Sequence, residues 1–245
     1  KQYKLIIKNY KKTKKLHITG HPRFELLKKK YHLLYRKESD IIRKKYGNFI
    51  LINTNIGYAN SIRGSKFVIE NYGKRFPDVK TKIEQSLLKR DFFVHLVKEL
   101  SSHNKKIVFR PHPEESQSFY SELFSKYNNV SVVYEGSVIP WLLASEFMIH
   151  PDCTTAIESD LLGKMSISLL PPEIKTDYVA NLPVAISESF RNIEDLLKFI
   201  DKLSPNSQKV NSEKHSYVDE YFSFSKDSID SISNKMQVLL LKCNK

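Results

Sequence analysis

The sequence predicts an α/β fold: a Rossmann-like parallel sheet with helices on both faces. Three observations predict it. Short apolar runs of strand length alternate with amphipathic helical stretches from residue 79 onward. Several of those runs are apolar throughout rather than alternating, as strands buried on both faces are. Four of them end in unusually polar loops, and in such sheets ligands bind beyond the carboxyl ends of the strands.

The elements follow in order. "KLHITGHPRFELL" (15–27) reads as a short strand, a Gly-His-Pro turn and a helix start, since Gly20 permits positive φ and Pro22 fixes the chain after it. Residues 24–46 read as irregular helix. A strand over 49–52 ends in "NTNIGYAN", and a long helix covers 79–103. Strand 106–109 precedes helix 115–126, strand 130–134 precedes a short helix at 137–145, and strand 146–149 precedes helix 155–163. Strand 165–169 and a short strand near 184–186 complete the sheet. Helix 192–203 starts at Asn192 as N-cap and carries Ile193, Leu196, Leu197 and Ile200 on one face. The tail forms one more helix, whose stripe of Ile229, Ile232, Met236, Leu239 and Leu240 is expected to be core.

Composition narrows the function. The chain has 245 residues and a net charge of +13. Residues 1–47 hold 16 Lys/Arg against 3 Asp/Glu, so the remainder is neutral. This block suits an anionic membrane surface or nucleic acid, with a solvated lysine-rich surface as the plain alternative, and the neutral remainder argues against a nucleic-acid protein with a basic face throughout. The organisation expected is a basic linker or domain end (1–47), a nucleotide-binding domain (48–225) and a C-terminal helix (226–245). The first residues show neither an initiator methionine nor a signal-peptide core, so a fragment of a longer protein is expected. Two cysteines fit a reducing compartment, and no Cys/His spacing suggests zinc. The phosphate-loop, Gly-x-Gly-x-x-Gly and Gly-x-Ser-x-Gly patterns are absent, which disfavours kinase-like, classical dinucleotide and serine-hydrolase chemistry.

Four loops open on one sheet edge: "NTNIGYAN" (53–60), "RPHPEE" (110–115), "IHPDCTTAIES" (149–159) and "LLPPE" (169–173). Prolines on both sides hold His112 in place, and Arg110 adds a permanent cation with a fork suited to phosphate. The pair fits a phosphodiester or diphosphate, with His112 donating to a leaving phosphate. Glu114 in the same loop is counted among the binding residues. Thr154 and Thr155 open a helix where free N–H groups meet anions, although Thr155 to Glu158 is also a capping box. Glu158, with Asn53 or Asn55, is suited to ribose or sugar hydroxyls. Cys153 reads as a small buried residue. His150 and Asp152 are set aside as catalysts because no third member completes a set.

Together "TGHPRFELL", "GNFILINTNIGYAN", "FRPHPEE" and "HPDCTTAIESDLLGKMSISLLP" resemble bacterial surface-carbohydrate biosynthesis proteins of GT-B glycosyltransferase architecture. More distantly they resemble capsule Kdo transferases, polysialyltransferases and CDP-glycerol glycerophosphotransferases. The resemblance covers about residues 16–172. It implies two facing Rossmann-like domains, of which this chain would be the donor-binding C-terminal half, and a catalytic base in an N-terminal domain that is missing here. It implies a CMP-sugar donor of the Kdo or nonulosonate type as substrate, with no permanently bound cofactor and no metal. His112-Pro113 matches the family's His-Pro motif, and Thr154 with Thr155 matches its Ser/Thr-rich helix start. Pro151 and Asp152 depart from the small polar pair expected there. The expected acceptor is a glycan or glycolipid, and the expected location is cytoplasmic, peripheral on the inner membrane. A CDP-polyol phosphotransferase, a UDP-sugar epimerase and a non-catalytic nucleotide or anionic-polymer binding module are the rivals.

Overall fold

The computed structural model describes residues 17–203, 218, 221–222 and 227–243. Six strands form one sheet: β1 (Ile50–Asn53), β2 (Ile107–Arg110), β3 (Val130–Val132), β4 (Met148–His150), β5 (Ser166–Leu169) and β6 (Glu188–Phe190). Their order is β3-β2-β1-β4-β5-β6 and every pairing is parallel. The order reverses between β1 and β4, so the chain ends there part and leave a crevice. Register brings Asn53 beside Arg110, and Ile52 beside both Phe109 and Ile149.

Alternation along β1 divides the core. Phe49 and Leu51 face one side, with Val108 and Met148. Helices α1 (Pro22–Glu25), α2 (Leu33–Tyr46), α6 (Val138–Ala144) and α7 (Thr155–Leu161) cover that face through Phe24, Leu27, Ile42, Trp141, Leu142 and Ala156. Ile50 and Ile52 face the other, under α4 (Val79–Ser102), α5 (Gln117–Phe124) and α9 (Ile193–Lys202), through Phe93, Leu96, Leu100, Phe124 and Leu196. Two short helices, α3 (Gly64–Phe67) and α8 (Asn181–Ala185), sit in the connections, and a π turn at Val68–Tyr72 follows α3. Leu51 and Ile52 are fully buried, so truncating either to Ala costs about 2–5 kcal/mol.

Gly47 shows why α2 stops where it does. It caps the helix at φ +69°, and a side chain there would press on Lys106 Nζ at 3.2 Å. Asn192 caps α9 as its sequence predicts, Oδ1 accepting from the Asp195 amide at 2.8 Å.

Three expectations are corrected. Residues 17–21 contain no strand, and residues 15–16 of that expected strand lie outside the described residues. The last strand is 188–190, whereas 184–186 finish helix α8 and its cap. Edge strand β6, Glu-Ser-Phe, is only partly buried and carries no apolar run to announce itself. The tail does form a helix, α10 (Ser228–Cys243), but its stripe is not core: Met236, Leu239 and Leu240 are more than half exposed. Its first turn is tied down by Glu25, whose carboxylate accepts from Ser228 Oγ (2.8 Å) and the Ile229 amide (2.7 Å). No described helix is long and apolar enough to cross a membrane.

Candidate functional site

The loops after β1, β2, β3 and β4 close around a cavity of about 500 Å³ at the point where the strand order reverses. β1 contributes Asn53, β2 contributes Arg110 and His112, and the turn into α7 contributes Thr154, Thr155 and Glu158. Six predicted residues thus line one space of ordinary ligand-pocket size. Asn55 and Glu114 do not face it. They line a second cavity of about 520 Å³ on the far side of His112 and Pro113, which border both. The expected loop at 169–173, after β5, is also absent from the first cavity: Lys175 beyond it donates its amide to Gln85 on α4 at 2.8 Å.

The β1 and β2 loops are bound to one another by Glu115, a buried carboxylate that the sequence reading did not single out. Its Oε1 accepts from Thr54 Oγ1 (2.8 Å), the Ile56 amide (2.8 Å) and the His112 amide (3.1 Å). Its Oε2 accepts from the Tyr120 hydroxyl at 2.7 Å, and burial next to this carboxylate pushes the Tyr120 phenol far up. The Ile62 amide donating to Glu114 O and the Ser116 amide donating to Asn60 O extend the seam. Proline on either side and Glu115 beneath therefore fix the backbone of His112.

The His112 ring is oriented as well. The Glu114 amide donates to Nδ1 at 3.2 Å, so in the neutral ring Nε2 carries the proton. His112 is exposed, and a fixed Nε2–H is a donor suited to a phosphate oxygen.

Arg110 is 7% exposed, and two of its donors meet the carbonyls of Glu135 (2.9 Å) and Gly136 (2.7 Å). Its guanidinium lies over the Tyr134 ring, and Trp141 Nε1 donates to the same Glu135 carbonyl. Burial lowers its pKa from the usual arginine value, opposed by Tyr134 and Glu135. Arg110 thus holds the loop after β3 in place while delivering positive charge to the cavity wall. Its fork is engaged by protein rather than standing free.

Around the third loop the expected capping box does not form. Thr154 makes no side-chain cap, and Thr155 Oγ1 lies 3.2 Å from Cys153 Sγ. Glu158 instead pairs with Arg23. Burial raises the Glu158 pKa and Arg23 opposes it. The Thr154 hydroxyl is therefore left to the cavity, while that of Thr155 lines the cavity and is shared with Cys153. Cys153 is buried and its thiol is pushed up to about 11, which suits packing rather than nucleophilic attack.

His150 and Asp152 are structural, as their sequence context suggests. His150 is fully buried, with Nδ1 accepting from the Cys153 amide and Nε2 against Ser187 Oγ. Asp152 forms a buried ion pair with Lys89 at 2.9 Å and accepts from Asn55 Nδ2 (3.1 Å) and the Ala180 amide (2.9 Å). That commitment is what turns Asn55 away from the first cavity.

The segment before the sheet supplies lining that the sequence reading missed: His21, Arg23 and Phe24. "TGHPRF" carries the signal, a ring and a cation beside a proline. His21 stacks on Phe24 at 4.2 Å. Among the described residues, two polar atoms of the lining residues are buried without a hydrogen-bond partner, His21 Nδ1 and Asn53 Oδ1. Buried polar atoms are rarely left so.

No family model and no curated protein sequence matches the chain. Solved structures do. A wall teichoic acid polymerase TagF variant soaked with CDPG aligns over 98% of this chain and 53% of its own, at TM-score 0.54 and 15% identity. The chain has the Rossmann-like fold of the GT-B enzymes. Another structure of that same TagF variant aligns over 93% of this chain and 52% of its own, at TM-score 0.51 and 20% identity. UDP-GlcNAc 2-epimerase from Methanocaldococcus jannaschii aligns over 88% and 58%, at TM-score 0.50 and 11% identity. The chain thus spans about half the length of these GT-B neighbours.

Proposed function

We propose that this chain is the donor-binding half of a GT-B glycosyltransferase that uses a cytidine-nucleotide sugar, of the CMP-Kdo or CMP-nonulosonate type, to build a bacterial surface polysaccharide. One observation carries the reading. Three loops separated in sequence bring Asn53, Arg110, His112, Thr154, Thr155 and Glu158 around one cavity at the sheet's switch point. His112 Nε2–H, the Arg110 charge and the two threonine hydroxyls receive the phosphate as it leaves. Asn53 Oδ1 and the Glu158 carboxylate accept from ribose or sugar hydroxyls. The acceptor is a glycan or glycolipid, the catalytic base comes from a facing N-terminal domain, and the enzyme works in the cytoplasm, peripherally on the inner membrane. With Arg110 and Arg23 supplying charge, the donor binds without metal and no cofactor is held permanently.

A second reading, a CDP-glycerol or CDP-ribitol phosphotransferase, is favoured by the fold shared with TagF soaked with CDPG. Both reactions release CMP. Calorimetric titration with CMP, UMP, UDP and cytidine tests them together. Preference for CMP over UMP and cytidine, weakened in H112A by about tenfold or more, is expected for the loss of a hydrogen bond to a charged group. Preference for UDP would point to epimerase-like chemistry, and binding to none of the four would overturn the donor reading.

A further inference from the structure

The second cavity belongs to a different part of the chain. The connection from β1 to α4 builds it, and the His112-Pro113 turn divides it from the first. Its lining is of three kinds. Tyr58, Phe67 and Tyr72 offer aromatic surface, with Tyr58 and Tyr72 rings 5.4 Å apart and tilted by 57°. Arg63 and Arg75 bring two guanidiniums, each over a neighbouring ring (Phe67 at 4.7 Å, Phe76 at 5.1 Å), and among the described residues neither is in a salt bridge. Glu114 and Asn55 bring acceptors, and among the described residues Asn55 Oδ1 is buried without a partner.

These features restrict the occupant. Two unpaired guanidiniums call for an anion, and their planar forks suit a carboxylate or phosphate. A bare anion does not fit, because Glu114 would repel it and the rings would gain nothing. A nucleobase does not fit, because Tyr58 and Tyr72 are tilted and Phe67 meets Tyr72 edge to face, so no parallel slot exists. A sugar or polyol satisfies all three: its C–H faces lie on the rings, its hydroxyls donate to Glu114 and Asn55, and its acid group meets the arginines.

We infer that this cavity binds a polyhydroxylated group bearing a carboxylate or phosphate, held next to the bond that is broken. The inference rests on the donor reading above for its place in the reaction, since the two cavities share His112 and Pro113 in their walls. The occupant is either the group carried by the donor or the growing end of the acceptor, and both present the same chemistry.

NMR titration of the whole chain with matched pairs tests it: glucuronic acid against glucose, and glycerol 3-phosphate against glycerol. The acidic member is expected to bind at least about tenfold more tightly, as a charge-assisted fork should. R63Q/R75Q is expected to abolish that preference while leaving CMP affinity unchanged, with the urea midpoint confirming a folded variant. CMP-N-acetylneuraminate binding more tightly than CMP, with the gain lost in R63Q/R75Q, assigns the occupant to the donor. Equal affinity, with glucuronic acid still binding to the CMP-saturated chain, assigns it to the acceptor. Equal affinity for acid and neutral partners in the wild type, or a preference that survives R63Q/R75Q, overturns the inference. Acid preference without any CMP binding would remove the donor reading and leave this cavity standing.

Discussion

Glu115→Ala tests how the site is held together. The carboxylate accepts from Thr54, Ile56, His112 and Tyr120, and it is 2% exposed. Truncation leaves the Ile56 and His112 amides and the Tyr120 hydroxyl without acceptors. Each buried unsatisfied donor costs about 1–3 kcal/mol, and the losses are not additive because the loops relax and water enters. The expected loss of stability is therefore about 3–5 kcal/mol, a large share of the about 5–15 kcal/mol typical of a folded domain. Glu115→Gln keeps one acceptor oxygen and lets Tyr120 reverse its hydrogen bond, so its cost should be nearer 1–2 kcal/mol. Urea denaturation of the three proteins gives the stabilities, and CMP titration below the transition reads His112. Glu115→Ala should lose CMP affinity while still folded, because the His112 backbone is no longer tethered. A cost under about 1 kcal/mol for Ala, or intact CMP affinity in the folded variant, would refute this account of the seam.

Replacing Thr154 and Thr155 together by Val should weaken CMP far more than cytidine, measured by calorimetry, because only CMP carries the phosphate; an unchanged ratio would remove the threonines from the phosphate site. His150, held neutral by burial with a pKa lowered to about 4 and partly opposed by Asp152, makes stability depend on pH. The unfolded chain takes up its proton as pH falls through about 6.5 while the folded chain does not, so this contribution is complete above 6.5 and declines toward 4, by about 2 kcal/mol between pH 6.5 and 5. Urea midpoints across that range should fall more steeply for wild type than for His150→Gln, and equal slopes would contradict it. On α2, Leu33, Leu34 and Ile41 are exposed among Lys37, Lys44 and Lys45, so sedimentation should show binding to anionic rather than neutral vesicles, lost in high salt. Salt-insensitive binding to both kinds would refute it.

The sheet was legible because its central strands are buried on both faces: Phe49 to Ile52 and Ile107 to Phe109 read as apolar runs, and with the alternating Ser166 to Leu169 each lies within a residue or two of its predicted place. β6 was not, since a half-exposed edge strand needs no apolar run. The convergence of Asn53, Arg110, His112, Thr154, Thr155 and Glu158 was legible from parallel topology, which sends strand ends to one edge. The fine assignment was not. Asn55 and Glu114 sit within two residues of predicted lining, yet Asp152 and the turn at His112 direct them elsewhere. Arg23 and Glu115 act through partners remote in sequence, which local spacing cannot reveal.

The seam and the switch point have a consequence for folding. The first cavity draws on β1, β2 and the turn after β4, and β1 pairs with both of the others. Parallel pairing requires long crossovers to close before any contact rewards them, so the three strand ends come together late. No fragment containing one or two of these strands holds the cavity. A nucleotide that occupies it binds only the completed sheet and draws the folding equilibrium toward it in proportion to ligand concentration. A rise in melting temperature with added nucleotide therefore reports on assembly of the whole central sheet, and a chain cut between β2 and β4 should lose that response unless its two pieces re-pair.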